Sequence, residues 1–220
     1  MSAIQASLQR VLANLREIDA RPVRLVAVSK TKPGIYILEA YNAGQRCFGE
    51  NYVAELCEKA PALPSDIQWH FIGHLQSNKV HKLISGCPNL YMIETVDSVK
   101  LASKINLALE STGGGPLRVL IEVKTSSEES KDGVPIVDVP PLVMFIKERC
   151  PKLKFSGLMT MANPVDPQIC FRTLSDVAHQ LRAAGHEVET LSMGMSGDYA
   201  LAIRNGSTQV RIGSSIFGSR

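Results

Sequence analysis

Nowhere in the 220 residues does an apolar run approach the length of a membrane span. The opening Met-Ser-Ala-Ile-Gln-Ala-Ser-Leu lacks both the basic start and the apolar core of a secretory signal, so none is expected. Cysteine is sparse. The five thiols, Cys47, Cys57, Cys87, Cys150 and Cys170, are odd in number and widely spaced, with no Cys-x-x-Cys. That argues against a disulfide framework or a zinc site and points to a reducing compartment. A cytoplasmic location, or an organelle in a eukaryote, is therefore expected. No surplus of one charge stands out either. The 24 Lys and Arg are scattered among 21 Asp and Glu, leaving a net charge of +3 and no nucleic-acid footprint. No repeat and no shift in composition divides the chain, so residues 1–220 are expected to form one domain.

What is present is an alternation of strand-like and helix-like segments. Ile4, Leu8, Val11, Leu12, Leu15 and Ile18 recur at helical spacing, which predicts an extra amphipathic helix over 3–18. A first strand over Val23 to Ser29 follows, then a helix from Pro33 to about Asn42. The next strands are expected at Arg46 to Gly49, Ile67 to Ile72, Leu90 to Thr95 and Leu117 to Lys124. Three more fall at Leu153 to Thr160, Val188 to Ser192 and Gln209 to Ile212. Helices are expected between them: Val53 to Ala60, Asn78 to Ile84, one from Asp97 or Ser98 to Gly113, Leu142 to Arg149, Gln168 to Ala184 and Tyr199 to Arg204. A Gly-Ser-Ser turn should end the chain. Eight alternating units predict a parallel sheet closed as a single α/β (β/α)8 barrel of the TIM type. An open doubly wound sheet is the alternative. No Gly-x-Gly-x-x-Gly follows the first strand, which weakens a dinucleotide-binding reading.

In such a barrel, ligands meet the C-terminal ends of the strands. Lys30 ends the first strand on the face it shares with Val26 and Val28. A poorly solvated amine there has a lowered pKa and attacks carbonyls; the plain alternative is a lysine that bends into solvent. The loops after the seventh and eighth strands, Ser192 to Gly197 and Gly213-Ser214-Ser215, are rich in glycine and serine. They stand where barrel phosphate sites are built, although capped turns read the same way. In Gln209-Val210-Arg211-Ile212 the apolar pair should face the helices, which sends Arg211 inward. A buried guanidinium needs acceptors, either Glu50, Glu94 or Glu122, or a ligand. Amine, anion cradle and arginine together suit a phosphorylated aldehyde, and pyridoxal 5′-phosphate fits. Its ring nitrogen would face a cation that keeps its proton, making a weak electron sink. His70 and His74 straddle a strand end and read as hydrogen-bonding or packing residues rather than a metal pair. Cys47 reads as core, and Glu128 and Glu129 as a solvated run.

Several stretches resemble the pyridoxal-phosphate homeostasis family. They are Ala27-Val-Ser-Lys-Thr-Lys-Pro33, Phe48-Gly-Glu-Asn-Tyr-Val53 and His70-Phe-Ile-Gly-His-Leu-Gln-Ser-Asn-Lys79, then Glu128-Glu-Ser-Lys131, Gly157-Leu-Met-Thr-Met161, Leu191-Ser-Met-Gly-Met-Ser196 and Val210-Arg-Ile-Gly213 through Ile216-Phe-Gly218. The resemblance implies a barrel like the N-terminal domain of alanine racemase. It implies pyridoxal phosphate held covalently, as a Schiff base, on Lys30. The Ser192 loop and the Gly213-Ser214 turn would hold the phosphate, Arg211 would face the ring nitrogen, and Asn51, His74 and Met161 would form pocket wall. Ser127 stands where the family often has glycine, and family members run a little past Arg220, which leaves a truncation open.

The implied role is a carrier without turnover that balances vitamin B6. It would be a monomer, with apo pyridoxal-phosphate enzymes as recipients and neither nucleic acid nor membrane as partner. An amino-acid racemase is the alternative, but it needs a second acid/base on the opposite ligand face. Tyr199 would serve only if its loop reached back over the ring. A sugar-phosphate isomerase or aldolase would want a carboxylate base near Lys30.

Overall fold

In the computed structural model, residues 2–126 and 133–219 are described. Ser127 and the Glu128–Lys131 run lie outside the described residues. Eight parallel strands close into a barrel in sequence order: β1 (Arg24–Val28), β2 (Cys47–Glu50), β3 (Gln68–Phe71), β4 (Leu90–Val96), β5 (Leu117–Glu122), β6 (Leu153–Met159), β7 (Thr190–Ser192) and β8 (Gln209–Ile212). The helices are α1 (Ala3–Ile18), α2 (Gly34–Asn42), α3 (Val53–Ala62), α4 (Val80–Gly86), α5 (Val99–Thr112), α6 (Val139–Arg149), α7 (Pro167–Ala183), α8 (Tyr199–Arg204) and α9 (Ser214–Phe217). The closed (β/α)8 barrel with a leading helix is the expected architecture.

The sequence explains how α1 is placed. Ser2 and Gln5 form a capping box: Ser2 Oγ accepts from the Gln5 N–H at 3.2 Å, and Gln5 Oε1 from the Ser2 N–H at 3.0 Å. Ile4, Leu8, Val11 and Leu15 are the buried stripe, and the helix packs on α2, α8 and α9 beside the β8–β1 seam. Several boundaries differ from expectation by a few residues, and proline accounts for two of them. α6 starts at Val139 because Pro140 and Pro141 fit a first helical turn, whose N–H groups need no partner. α3 runs through Pro61, since a proline in the last turn removes only one hydrogen bond. The expected C-terminal turn is the one-turn helix α9.

Register decides what faces inward. Val26 pairs with Arg211, Val28 with Gly49, and His70 with Met92, so these side chains share the barrel interior. Glu94 follows Met92 on the same face. The alternate residues, among them Ala27, Phe48, Trp69, Ile93, Val210 and Ile212, join the large core between barrel and helices. Inside, Met92, Leu120 and Met159 make a small separate apolar cluster. The polar interior groups lie around and above that plug.

Candidate functional site

A cavity of about 460 Å³ opens at the C-terminal ends of the strands. Six of the residues expected in the site line it: Lys30, Asn51, Met161, Arg211, Gly213 and Ser214. Val28, Lys32, Ile72, Met195, Ser196, Gly197, Gly218 and Ser219 complete the wall. The β1–β8 pairing of Ala27 with Ile212 brings Lys30 and the Gly213 turn out of the barrel side by side. Glycine suits position 213, where a Cβ would stand a tight 3.1 Å from the Val28 carbonyl oxygen. The Ser215 N–H reaches Ser196 Oγ at 3.5 Å, a long contact that places the two glycine-serine loops against each other.

Lys30 is half-buried and sits on a tightly held turn. The next residue, Thr31, has φ of 64°, in the left-handed region that a β-branched residue seldom enters. Its N–H donates to Glu55 Oε1 at 2.6 Å. Lys59 Nζ then ties Glu55 (2.6 Å), the Ser29 carbonyl (2.9 Å) and Glu50 Oε1 (2.7 Å) together. Strain of about 1–3 kcal/mol is typical of such a backbone, and it persists only where the surroundings enforce it. Glu55 and Lys59 are four apart on α3, so the pair was visible in the sequence; the twisted Thr31 they hold was not. Burial pushes the Glu50 carboxyl above the usual range, against the pull of Lys59 and Ser29. Glu50 lies outside the barrel under α3, so it is not the Arg211 partner.

Arg211 points inward, as its neighbours' polarity predicts. Nη1 donates to Ser192 Oγ at 2.7 Å, and Nη2 to the Thr160 carbonyl at 2.9 Å and to Met161 Sδ at 3.1 Å. A guanidinium has five N–H groups, so two find no acceptor among the described residues. Ser192 in turn donates to Glu94 Oε2 at 2.5 Å. His70 Nδ1 (2.6 Å) and Gln209 Nε2 (2.7 Å) both meet Glu94 Oε1. Burial pushes the Glu94 carboxyl up, but His70, Arg211 and Ser192 outweigh it and hold the group below the usual carboxylate range. Since a carboxylate only accepts, His70 must carry its proton on Nδ1. Burial pulls the Arg211 pKa down while Glu94, Glu122 and Asp198 push it up. It remains a cation, because arginine does not deprotonate in proteins.

Two expected residues do not line the cavity. Ser192 is fully buried beneath Arg211, its hydroxyl spent between that guanidinium and Glu94. Ser196, four residues on in the same loop, faces the cavity instead. His74 lines a neighbouring hollow that shares only Asn51 with the first, and its Nδ1 lies 3.9 Å from Asp97 Oδ2. Asn51 is set by a close approach at Gly73, where a Cβ would fall 2.1 Å from the Asn51 carbonyl oxygen. The Tyr199 hydroxyl faces α1 and accepts from Asn14 Nδ2 at 3.4 Å, so it does not reach over the cavity. Lys32, Ser196 and Gly197 were not picked out individually, although each belongs to a strand-end segment that was.

Comparison with known proteins agrees with this architecture. The alanine racemase N-terminal domain family matches residues 6–220. The pyridoxal phosphate homeostasis protein of Homo sapiens is 46% identical over 237 residues, covering 100% of this chain and 85% of that protein. The homonymous protein of Schizosaccharomyces pombe is 45% identical, covering 100% and 94%. PipY of Synechococcus elongatus, in a structure with PLP bound, superposes with a TM-score of 0.83 at 33% identity, covering 96% of this chain and 100% of PipY. Alanine racemase of Corynebacterium glutamicum, at 16% identity and TM-score 0.76, shares the fold alone. This chain belongs to the pyridoxal phosphate homeostasis protein family, built on the alanine racemase N-terminal domain.

Proposed function

We propose that this chain binds pyridoxal 5′-phosphate and serves its homeostasis as a carrier without turnover. The observation that carries the reading is the make-up of the cavity wall. Lysine and arginine are its only ionisable side chains; among the described residues it has no carboxylate, imidazole or phenol. A racemase needs a second acid/base across the ligand, and an isomerase or aldolase needs a base beside the lysine. Neither is offered, apart from the second amine of Lys32, which donates to the Ser219 carbonyl at 2.8 Å.

The residues fit the cofactor. When bound, pyridoxal phosphate supplies an electrophilic aldehyde and a ring whose electron demand depends on its nitrogen. Lys30 supplies the amine for covalent attachment. Ser196, Gly197, Gly213 and Ser214 supply hydroxyl and backbone donors for the phosphate. Arg211 presents its two spare donors, and as a permanent cation it leaves the ring nitrogen unprotonated. That disfavours carbanion chemistry, which suits storage better than catalysis. Asn51 and Met161 form the wall, with His74 one shell away. In this reading the carrier is a monomer whose recipients are apo forms of pyridoxal-phosphate enzymes.

Borohydride reduction of the cofactor-loaded protein, followed by peptide mapping, tests the site. A pyridoxyl group on Lys30, lost in Lys30→Ala, is expected. Modification of Lys32, Lys79 or Lys124 instead would overturn the assignment. D-alanine formed from L-alanine at a useful rate would overturn the carrier reading.

A further inference from the structure

The opposite, N-terminal mouth of the barrel holds a second hollow of about 580 Å³, lined by Arg24, Tyr91, Arg118 and Glu189 among others. This end of a barrel ordinarily serves stability rather than ligands. Its charges are nevertheless arranged unusually. The Arg118 guanidinium lies 4.6 Å and that of Arg24 5.7 Å from the centroid of the same Tyr91 ring. The two cations are therefore no more than about 10 Å apart, within a Debye length at moderate salt. Neither has a carboxylate within 4 Å among the described residues. The nearby Glu189 is already held by Lys154 at 2.8 Å. The mouth thus keeps a surplus of two positive charges, oriented by one aromatic ring that His70 backs at 5.3 Å between centroids.

Like charges brought together without a counterion cost free energy, and an anion between them recovers it. Ring contact, together with a long Arg24 Nη1 donation to Gln209 Oε1 at 3.4 Å, holds both guanidinium groups near one another before any ligand arrives, which lowers the ordering cost of binding. We propose that this mouth is a second ligand site, for a small dianion such as a dicarboxylate or a phosphate, gripped by Arg24 and Arg118. It does not depend on the cofactor reading. The Met92, Leu120 and Met159 plug belongs to the barrel interior, and none of the residues lining this hollow lines the cofactor cavity.

Calorimetric titration with inorganic phosphate and, separately, succinate tests this, on the wild-type chain and on Arg24→Gln, Arg118→Gln and Arg118→Lys. At least one anion is expected to saturate the wild type. Its affinity should fall about tenfold or more in both glutamine variants, as for loss of a charge-assisted hydrogen bond. Arg118→Lys should lie between. Succinate binding alone would identify a carboxylate ligand, and phosphate alone a phosphorylated one. Affinity unchanged in both glutamine variants would put the anion elsewhere and overturn the proposal. So would the absence of saturation by about 10 mM of either anion. Thermal midpoints without anion show whether each variant is folded, and Arg118→Lys keeps the test decisive should a glutamine variant fail.

Discussion

Replacing Glu94 by glutamine tests whether a buried charge holds the floor of the cavity in place. Glu94 is fully buried and accepts from His70, Gln209 and Ser192. Ser192 alone separates it from Arg211, so the carboxylate and guanidinium lie no more than about 5 Å apart across two hydrogen bonds. At an effective dielectric of about 20, unit charges at that distance attract by about 3 kcal/mol. Glutamine keeps the volume and an acceptor for His70 and Gln209, but it removes the charge and leaves Arg211 with the weaker fields of Glu122 and Asp198. A loss of about 2–4 kcal/mol is expected, a large part of the 5–15 kcal/mol typical of a domain. Urea unfolding followed by the fluorescence of the single tryptophan, Trp69, reads it as a midpoint lowered by about 1–2 M. The pH dependence supplies a second readout. Glu94 has a folded pKa below its reference of 4.5, so it contributes stability above pH 4.5 that is lost as pH falls through the folded value. The wild type should therefore lose this contribution below pH 4.5, and Glu94→Gln should lack that part of the decline. A loss under about 0.5 kcal/mol, or an unchanged acid limb, would refute the reasoning.

Two other substitutions probe the ground beneath Lys30 and Asn51. Lys59→Met strips from buried Glu50 the cation that pairs with it and frees Glu55 from its clamp; a loss of about 2–4 kcal/mol by urea unfolding is expected, with weaker cofactor retention on dialysis. The raised Glu50 pKa lets that carboxyl take up a proton more readily than an ordinary glutamate, so the loss should shrink as pH is lowered. Gly73→Ala puts a methyl against backbone, not against a yielding side chain. It should cost about 3 kcal/mol or more and shift Asn51, seen as a Kd for pyridoxal phosphate raised about tenfold or more.

The sequence made the barrel legible because its signal is repeated. Eight short apolar runs, each bounded by glycine, proline or a capping residue, leave few topologies open. Inwardness was legible too wherever two apolar neighbours settled the face, as Val210 and Ile212 did for Arg211. Alternation shows which wall a side chain faces, but it does not show the depth at which the side chain ends. Ser192 and Ser196 look equivalent in a glycine-serine loop, yet one is a buried link between Glu94 and Arg211 and the other stands at the cavity. The same gap explains Glu50, which pattern reading offered to Arg211 and which the parity of β2 places outside the barrel. The β1–β2 register pairs Val28 with Gly49, so the next residue, Glu50, turns outward. The left-handed turn at Thr31 is a different matter. No residue type announces it, because it is imposed from α3 through Glu55 and Lys59 and held only in the folded chain. The least legible feature is therefore the one that aims Lys30: an ordinary threonine whose backbone is fixed by a contact 24 residues away.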